Sequence, residues 1–214
     1  MKSLRLGVLL SGRGSNFQAI QDAIERGELG ASIAVVLSNK KEAQGLARAE
    51  AQGLTGIFLD PKDYVGDACP REAFDRAIVQ VLMAHAVDLV ILAGYMRIVT
   101  PILIQAYQGR IMNIHPSLLP SFPGLHAQQQ ALEWGVKISG CTVHLVTEGV
   151  DEGPIIIQSA VPVNEGDSAE TLSARILEQE HRIYPEAIQL YAQGRLQGQG
   201  RQVQILHTQE QVGR

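Results

Sequence analysis

Short runs rich in Val, Ile and Leu recur along the first half of this chain with helix-length segments between them, and that alternation constrains the fold more than any other feature. The runs lie at 4–10, 33–37, 56–59, 88–93 and 111–114. Between the early runs, segments 16–27, 41–52 and 71–85 repeat their apolar residues near every 3.6 positions, the spacing of one helix face. Strand and helix in alternation build βαβ units, and strands that are apolar throughout suit a parallel sheet covered on both faces. The expected fold is α/β, a mostly parallel twisted sheet with helices on both sides.

After residue 115 the pattern changes. A proline-rich loop, a short helix over 127–134, strands over 141–146 and 155–163, and a long helix over 168–189 follow. The two strands are read as an antiparallel addition to the sheet. Ser168 with Thr171 offers a helix cap, and Asp167 and Glu170 suit the positive helix end. The tail from Gly194 is rich in Gln and Gly with one apolar run at 203–206; it forms an edge hairpin or stays mobile. At 214 residues, and about 150 residues per domain, one domain over 1–192 with a tail over 193–214 is expected.

Hydrophobic residues at 45% and charged residues at 19% are ordinary globular values. A net charge of −4 leaves no basic footprint for nucleic acid or an anionic membrane. No stretch approaches the roughly 18 apolar residues of a membrane span. Cys69 and Cys141 are too few for a disulfide scaffold, which fits a reducing cytoplasm. There are six histidines, but Cys141 and His144 would face opposite sides of a strand and no other pair has tight ligand spacing, so no metal is expected. His85 and His207 are read as solvent-facing, Trp134 as helix packing and Cys141 as buried packing. His144 either lines a cavity near His115 or is a satisfied structural histidine.

Two segments carry chemistry. Ser11-Gly12-Arg13-Gly14-Ser15-Asn16 sits at a strand-to-helix turn, where glycines admit close approach and first-turn N–H groups with the helix dipole favour a phosphate. The alternative is a tight turn with an ordinary cap. Phe17 stands where a dinucleotide fingerprint has its third glycine, and Asn39 rather than an acid follows the second strand, which argues against a nicotinamide cofactor. In Asn113-Ile114-His115-Pro116-Ser117-Leu118-Leu119-Pro120, Pro116 biases His115 away from the helical region, and Asn113 and His115 point to one face of an extended chain. An amide donor beside a titratable base suits acyl transfer; the alternative is a strand-ending turn. Ser117 lacks a nucleophile elbow and is read as a loop hydrogen-bonding residue.

The Ser-Gly-x-Gly-Ser-Asn loop, Leu92-Ala93-Gly94-Tyr95-Met96-Arg97-Ile98, the Asn113 to Pro120 segment with Pro123-Gly124-Leu125-His126, and Val150-Asp151-Glu152-Gly153-Pro154-Ile155-Ile156 occur in one order. Together they resemble the phosphoribosylglycinamide formyltransferases, the small folate-dependent enzymes of purine synthesis, over about residues 4–190. The resemblance implies a Rossmann-like sheet, a nucleotide-binding half over about 1–110 and a folate and catalytic half over about 111–192. It implies transfer of a formyl group from 10-formyltetrahydrofolate, as co-substrate, to the amine of glycinamide ribonucleotide.

By motif, Gly14, Ser15 and Asn16 would hold the ribonucleotide phosphate and Glu180 its glycinamide ribose portion. Arg71, Met96, Arg97, Ile98 and Val99 would contact folate, with Asn113 at the join. Asn113, His115 and Asp151 match the catalytic set, Asp151 favouring the His115 imidazolium if the two pair. Glu152 is a departure, because similar chains often carry glycine there. Two alternatives share the core: a formyltetrahydrofolate deformylase, whose usual extra N-terminal regulatory domain is not expected here, and a non-catalytic folate or nucleotide sensor. A tRNA-modifying relative would carry an added C-terminal domain. A monomer or homodimer in the cytoplasm is expected.

Overall fold

A computed structural model describes residues 3–207. Seven strands form one sheet in the order β3-β2-β1-β4-β5-β6-β7, with β1 Leu4–Leu10, β2 Ala31–Ser38, β3 Gly56–Phe58, β4 Leu89–Leu92, β5 Ile111–His115, β6 Ile138–Leu145 and β7 Ile155–Pro162. The first five run parallel; β6 joins β5 antiparallel and β7 joins β6 the same way. This is the Rossmann-like sheet with an antiparallel addition.

The helices are α1 Ser15–Glu25, α2 Gln44–Ala51, α3 Pro70–Ala84, α4 Pro101–Ala106, α5 Ala127–Glu133 and α6 Ala169–Ala192. Adjacent strand positions feed opposite cores, as a period of two requires. Leu6, Val8 and Leu10 of β1 pack with Phe17, Ile20, Ile183 and Ile188 of α1 and α6. Leu9 packs on the other face with Phe74, Ile78, Leu82 and Leu103 of α3 and α4. Each such fully buried side chain stabilises the fold by about 1.5–3 kcal/mol.

The long helix α6 begins at a capping box in which Ser168 and Thr171 bond reciprocally. Tyr184 locks it to the sheet, its hydroxyl aimed at the carbonyls of Leu92 at 3.0 Å and Met112 at 2.9 Å. Near the described end, β8 Leu196–Gln199 and β9 Gln202–Ile205 form a separate two-stranded hairpin. Residues 208–214 of the tail lie outside the described part.

Three details depart from the sequence reading. The helix α4 was not anticipated, because its six residues make less than two turns within an apolar stretch. Trp134 is 78% exposed instead of packed, since α5 ends one residue earlier and Gly135 turns the chain away at φ 66°. His85 is half-buried, and its Nδ1 lies 2.8 Å from the Val81 carbonyl one turn back in α3. His207 is exposed.

Candidate active site

Because β1 pairs in parallel with both β2 and β4, the strand order reverses at β1, and the chain leads toward β2 on one side and toward β5 on the other from the carboxyl ends of the strands. Such a switch point is where open α/β sheets bind ligands. All the candidate residues except those brought by α3, α6 and the loop after β6 stem from this edge.

The loop after β1 reaches Gly14, whose φ of 72° lies in the left-handed region. A Cβ there would also stand 2.8 Å from the Gly45 Cα of α2, so both backbone freedom and close approach require glycine. Ser15 and Asn16 then open α1 at its positive end. Buried Asn16 donates its Nδ2 proton to Glu180 Oε2 at 2.7 Å, and its own Oδ1 has no partner among the described residues. Burial in α6 pushes the Glu180 carboxyl up to about 7, against the opposing effect of the Asn16 hydrogen bond.

The segment after β4 carries Met96, Arg97, Ile98 and Val99. Met96 and Ile98 are 64% and 59% exposed, an apolar surface beside the sheet edge. Arg71, near the start of α3, donates to the Ile98 carbonyl at 3.2 Å, and the Arg97 guanidinium stacks 4.6 Å from the centre of the Phe74 ring. Strand pairing sets Leu92, just before this segment, opposite Asn113.

At the end of β5, Asn113 and His115 face the loop after β6. The antiparallel register brings His144 opposite Asn113, with Asn113 Nδ2 3.1 Å from His144 Nε2. The same His144 nitrogen stands 3.6 Å from Asp151 Oδ1, while His115 Nδ1 stands 3.3 Å from Asp151 Oδ2. His115 Nε2 lies 2.9 Å from the Phe122 carbonyl. Both His115 neighbours are acceptors, and a ring nitrogen donates to either one only when it carries a proton.

Asp151 is held at φ 55°, a left-handed conformation that costs a non-glycine residue roughly 1–2 kcal/mol. The Gly124 N–H donates to its Oδ2 at 2.8 Å. Burial pushes this carboxyl upward, but the facing His144 side chain, the Gly124 N–H and the neighbouring His115 together outweigh it and hold it below its ordinary value. Two residues on, Gly153 is confined: a Cβ there would collide with the Leu145 carbonyl. An amide, two imidazoles and a carboxylate thus share one corner at the carboxyl end of β5.

A family model described as formyl transferase matches residues 4–188. The chain belongs to the formyl transferase family. This formyl transferase is 45% identical over 193 residues to the phosphoribosylglycinamide formyltransferase of Escherichia coli (strain K12), covering 90% of this chain and 89% of the relative. It is 47% identical over 196 residues to the Homo sapiens trifunctional purine biosynthetic protein adenosine-3, covering 92% of this chain but only 19% of that longer protein. Among solved structures, the glycinamide ribonucleotide transformylase 1 of Symbiobacterium toebii superposes with a TM-score of 0.92 at 56% identity, covering 95% of this chain and 94% of the other.

His144 joins the corner of this formyl transferase as well as being buried, the feature that sequence reading left open between two roles. Cys141 is buried in the core, its thiol pushed up to about 12 by burial. The Ser117 hydroxyl donates to the Ser121 carbonyl within the loop. Among the described residues no helix is long and apolar enough to cross a membrane, and no group of three or more His, Cys, Asp or Glu could hold a metal ion.

Proposed function

We propose that this formyl transferase moves the formyl group of 10-formyltetrahydrofolate to the primary amine of glycinamide ribonucleotide, giving N-formylglycinamide ribonucleotide and tetrahydrofolate in purine synthesis. The observation that carries this reading is the convergence of His115, and of Asn113 through His144, on the Asp151 carboxylate. The relative of that name, matched over 89% of its length, supports the choice of acceptor.

In the transfer the amine nitrogen bonds to the formyl carbon, the bond from that carbon to the folate nitrogen breaks, and the proton lost by the amine ends on the folate nitrogen. The amine is itself the nucleophile, so no covalent enzyme intermediate is needed, consistent with the inert environments of Cys141 and Ser117. Asn113 donates an amide N–H to the formyl oxygen as it gains charge, an interaction worth about 10²–10³ in rate. His115 serves as the acid toward the oxyanion or the leaving nitrogen, worth about 10²–10⁴. The Asp151 carboxylate favours the charged imidazole that supplies this proton.

Substrate holding divides between two groups of residues. Gly14, Ser15 and Asn16 take the ribonucleotide phosphate, and Glu180 takes its ribose portion. Met96, Ile98 and Val99 offer apolar contact to the pterin, with Arg71 and Arg97 as its cationic neighbours.

The test mixes the purified chain with 10-formyltetrahydrofolate, with and without glycinamide ribonucleotide, and follows folate product absorbance. Turnover only with the ribonucleotide supports the proposal. Release of formate without it makes the chain a deformylase, and no turnover in either mixture favours a binding protein.

A further inference from the structure

The segment that presents Met96 to Val99 is tied to the turn after β1 through Ser11. Ser11, the last residue before the Gly12–Asn16 turn, donates its only hydroxyl proton to Asn39 Oδ1 at 2.6 Å. That donation leaves the oxygen lone pairs to accept, and the Met96 N–H donates to them at 2.8 Å. The Ser11 N–H in turn donates to the Gly94 carbonyl at 3.1 Å. Asn39 is 8% exposed at the end of β2, so the group that aims the hydroxyl is itself fixed. At the far end of the same segment, the Thr100 N–H donates to buried Asp75 at 2.6 Å. The stretch 95–99 is thus clamped at both ends, by α3 at one and by the turn after β1 at the other.

We infer that Ser11, aimed by Asn39, is a positioning residue that sets the folate-side segment in register with the ribonucleotide-side turn. The assignment rests on the proposed formyl transfer for its substrates but on the hydrogen bonds alone for its structural content. Removing the hydroxyl frees the Met96 N–H and leaves Asn39 without its donor. The turn at Gly14 stays in place because α1, Gly45 and β1 hold it separately. The folate side therefore loosens while the phosphate side does not.

The experiment compares Ser11→Ala, Ser11→Thr and Asn39→Ala with the parent chain in two measurements: steady-state kinetics, and amide hydrogen exchange of the peptide covering residues 94–100 in the ligand-free protein. For Ser11→Ala the expected result is a KM for 10-formyltetrahydrofolate raised about tenfold, the usual scale for one lost hydrogen bond. The ribonucleotide KM and kcat should stay within about threefold, exchange of the 94–100 peptide should quicken, and Ser11→Thr should restore both readings. Asn39→Ala should shift both readings in the same direction and decides the matter if Ser11→Ala does not fold. Equal rises in both KM values, a fall confined to kcat, or unchanged exchange overturns the inference. A parent chain without transferase turnover overturns the proposed function instead, and the exchange comparison then decides the clamp alone.

Discussion

His115 Nδ1 and the Gly124 N–H meet on one oxygen of Asp151, at 3.3 and 2.8 Å, while the other oxygen faces His144 at 3.6 Å. The carboxylate therefore organises two histidines and the loop that closes over them. Asp151→Asn keeps an acceptor for Gly124 and tolerates the left-handed backbone, so it should fold nearly as well as the parent, yet lose about 10²–10⁴ in kcat with the acid's charge support gone. Asp151→Ala should add roughly 1 kcal/mol of instability from the strained φ. Thermal melts beside turnover assays separate the two effects; an Asn variant with parental kcat removes Asp151 from the catalytic set.

Glu180 titrates in the opposite sense from Asp151. Its carboxyl is raised from 4.5 to about 7 when folded, so between those values the folded state binds the extra proton and stability falls as pH rises. Glu180→Gln keeps an acceptor for Asn16 and carries no charge. The variant should melt close to the parent at pH 5 and several degrees above it at pH 8, while losing activity if the acid grips the ribonucleotide. Melting curves at the two pH values test the sign; a Gln variant that loses ground as pH rises sinks the account.

Tyr184 joins α6 to the sheet through a single O–H shared between Leu92 and Met112 carbonyls in the buried core. Tyr184→Phe preserves the ring but leaves those carbonyls without that donor, at a cost of about 1–3 kcal/mol. For a chain of this length that corresponds to a melting temperature lower by roughly 2–12 °C. Calorimetry showing no drop would mean that the hydroxyl contributes no net stability.

The loop that carries Asp151 has one position with no room and one with plenty. Gly153→Ala drives a Cβ into the Leu145 carbonyl and should displace Asp151, cutting kcat more than it cuts stability. Glu152 is exposed, its backbone carbonyl accepting from Arg201 at 3.0 Å. Glu152→Gln should leave neutral-pH turnover within about twofold, since exposed charges are screened. Kinetics on both variants check the contrast; reversed effects would assign the loop's behaviour to the carboxylate.

The parallel strands were legible in the sequence because most of their central residues are covered on both faces and read as short runs dominated by Val, Ile and Leu, despite Arg5 in β1 and the exposed Gly56 in β3. The turn at Gly14 and the Asn113–His115 pair were legible because their residues are neighbours in sequence. What local pattern does not contain is cross-strand register: His144 reaches the corner only because it pairs with Asn113 across β5 and β6. Trp134 misled for a related reason. It follows Ala127 and Ala131, the buried residues of α5, at a spacing that continues their face, but the helix stops before it. The clamp through Ser11 joins positions 85 residues apart, a contact set by the β1 to β4 pairing.

Trp134 is also the only indole in the chain, and at 78% exposure it already sits in water when the protein is folded. Its fluorescence in the native state will resemble that of a free peptide, so denaturant will move the emission maximum little even as the sheet melts. A flat intrinsic-fluorescence trace would then report where the fluorophore sits, with circular dichroism left to follow the unfolding itself.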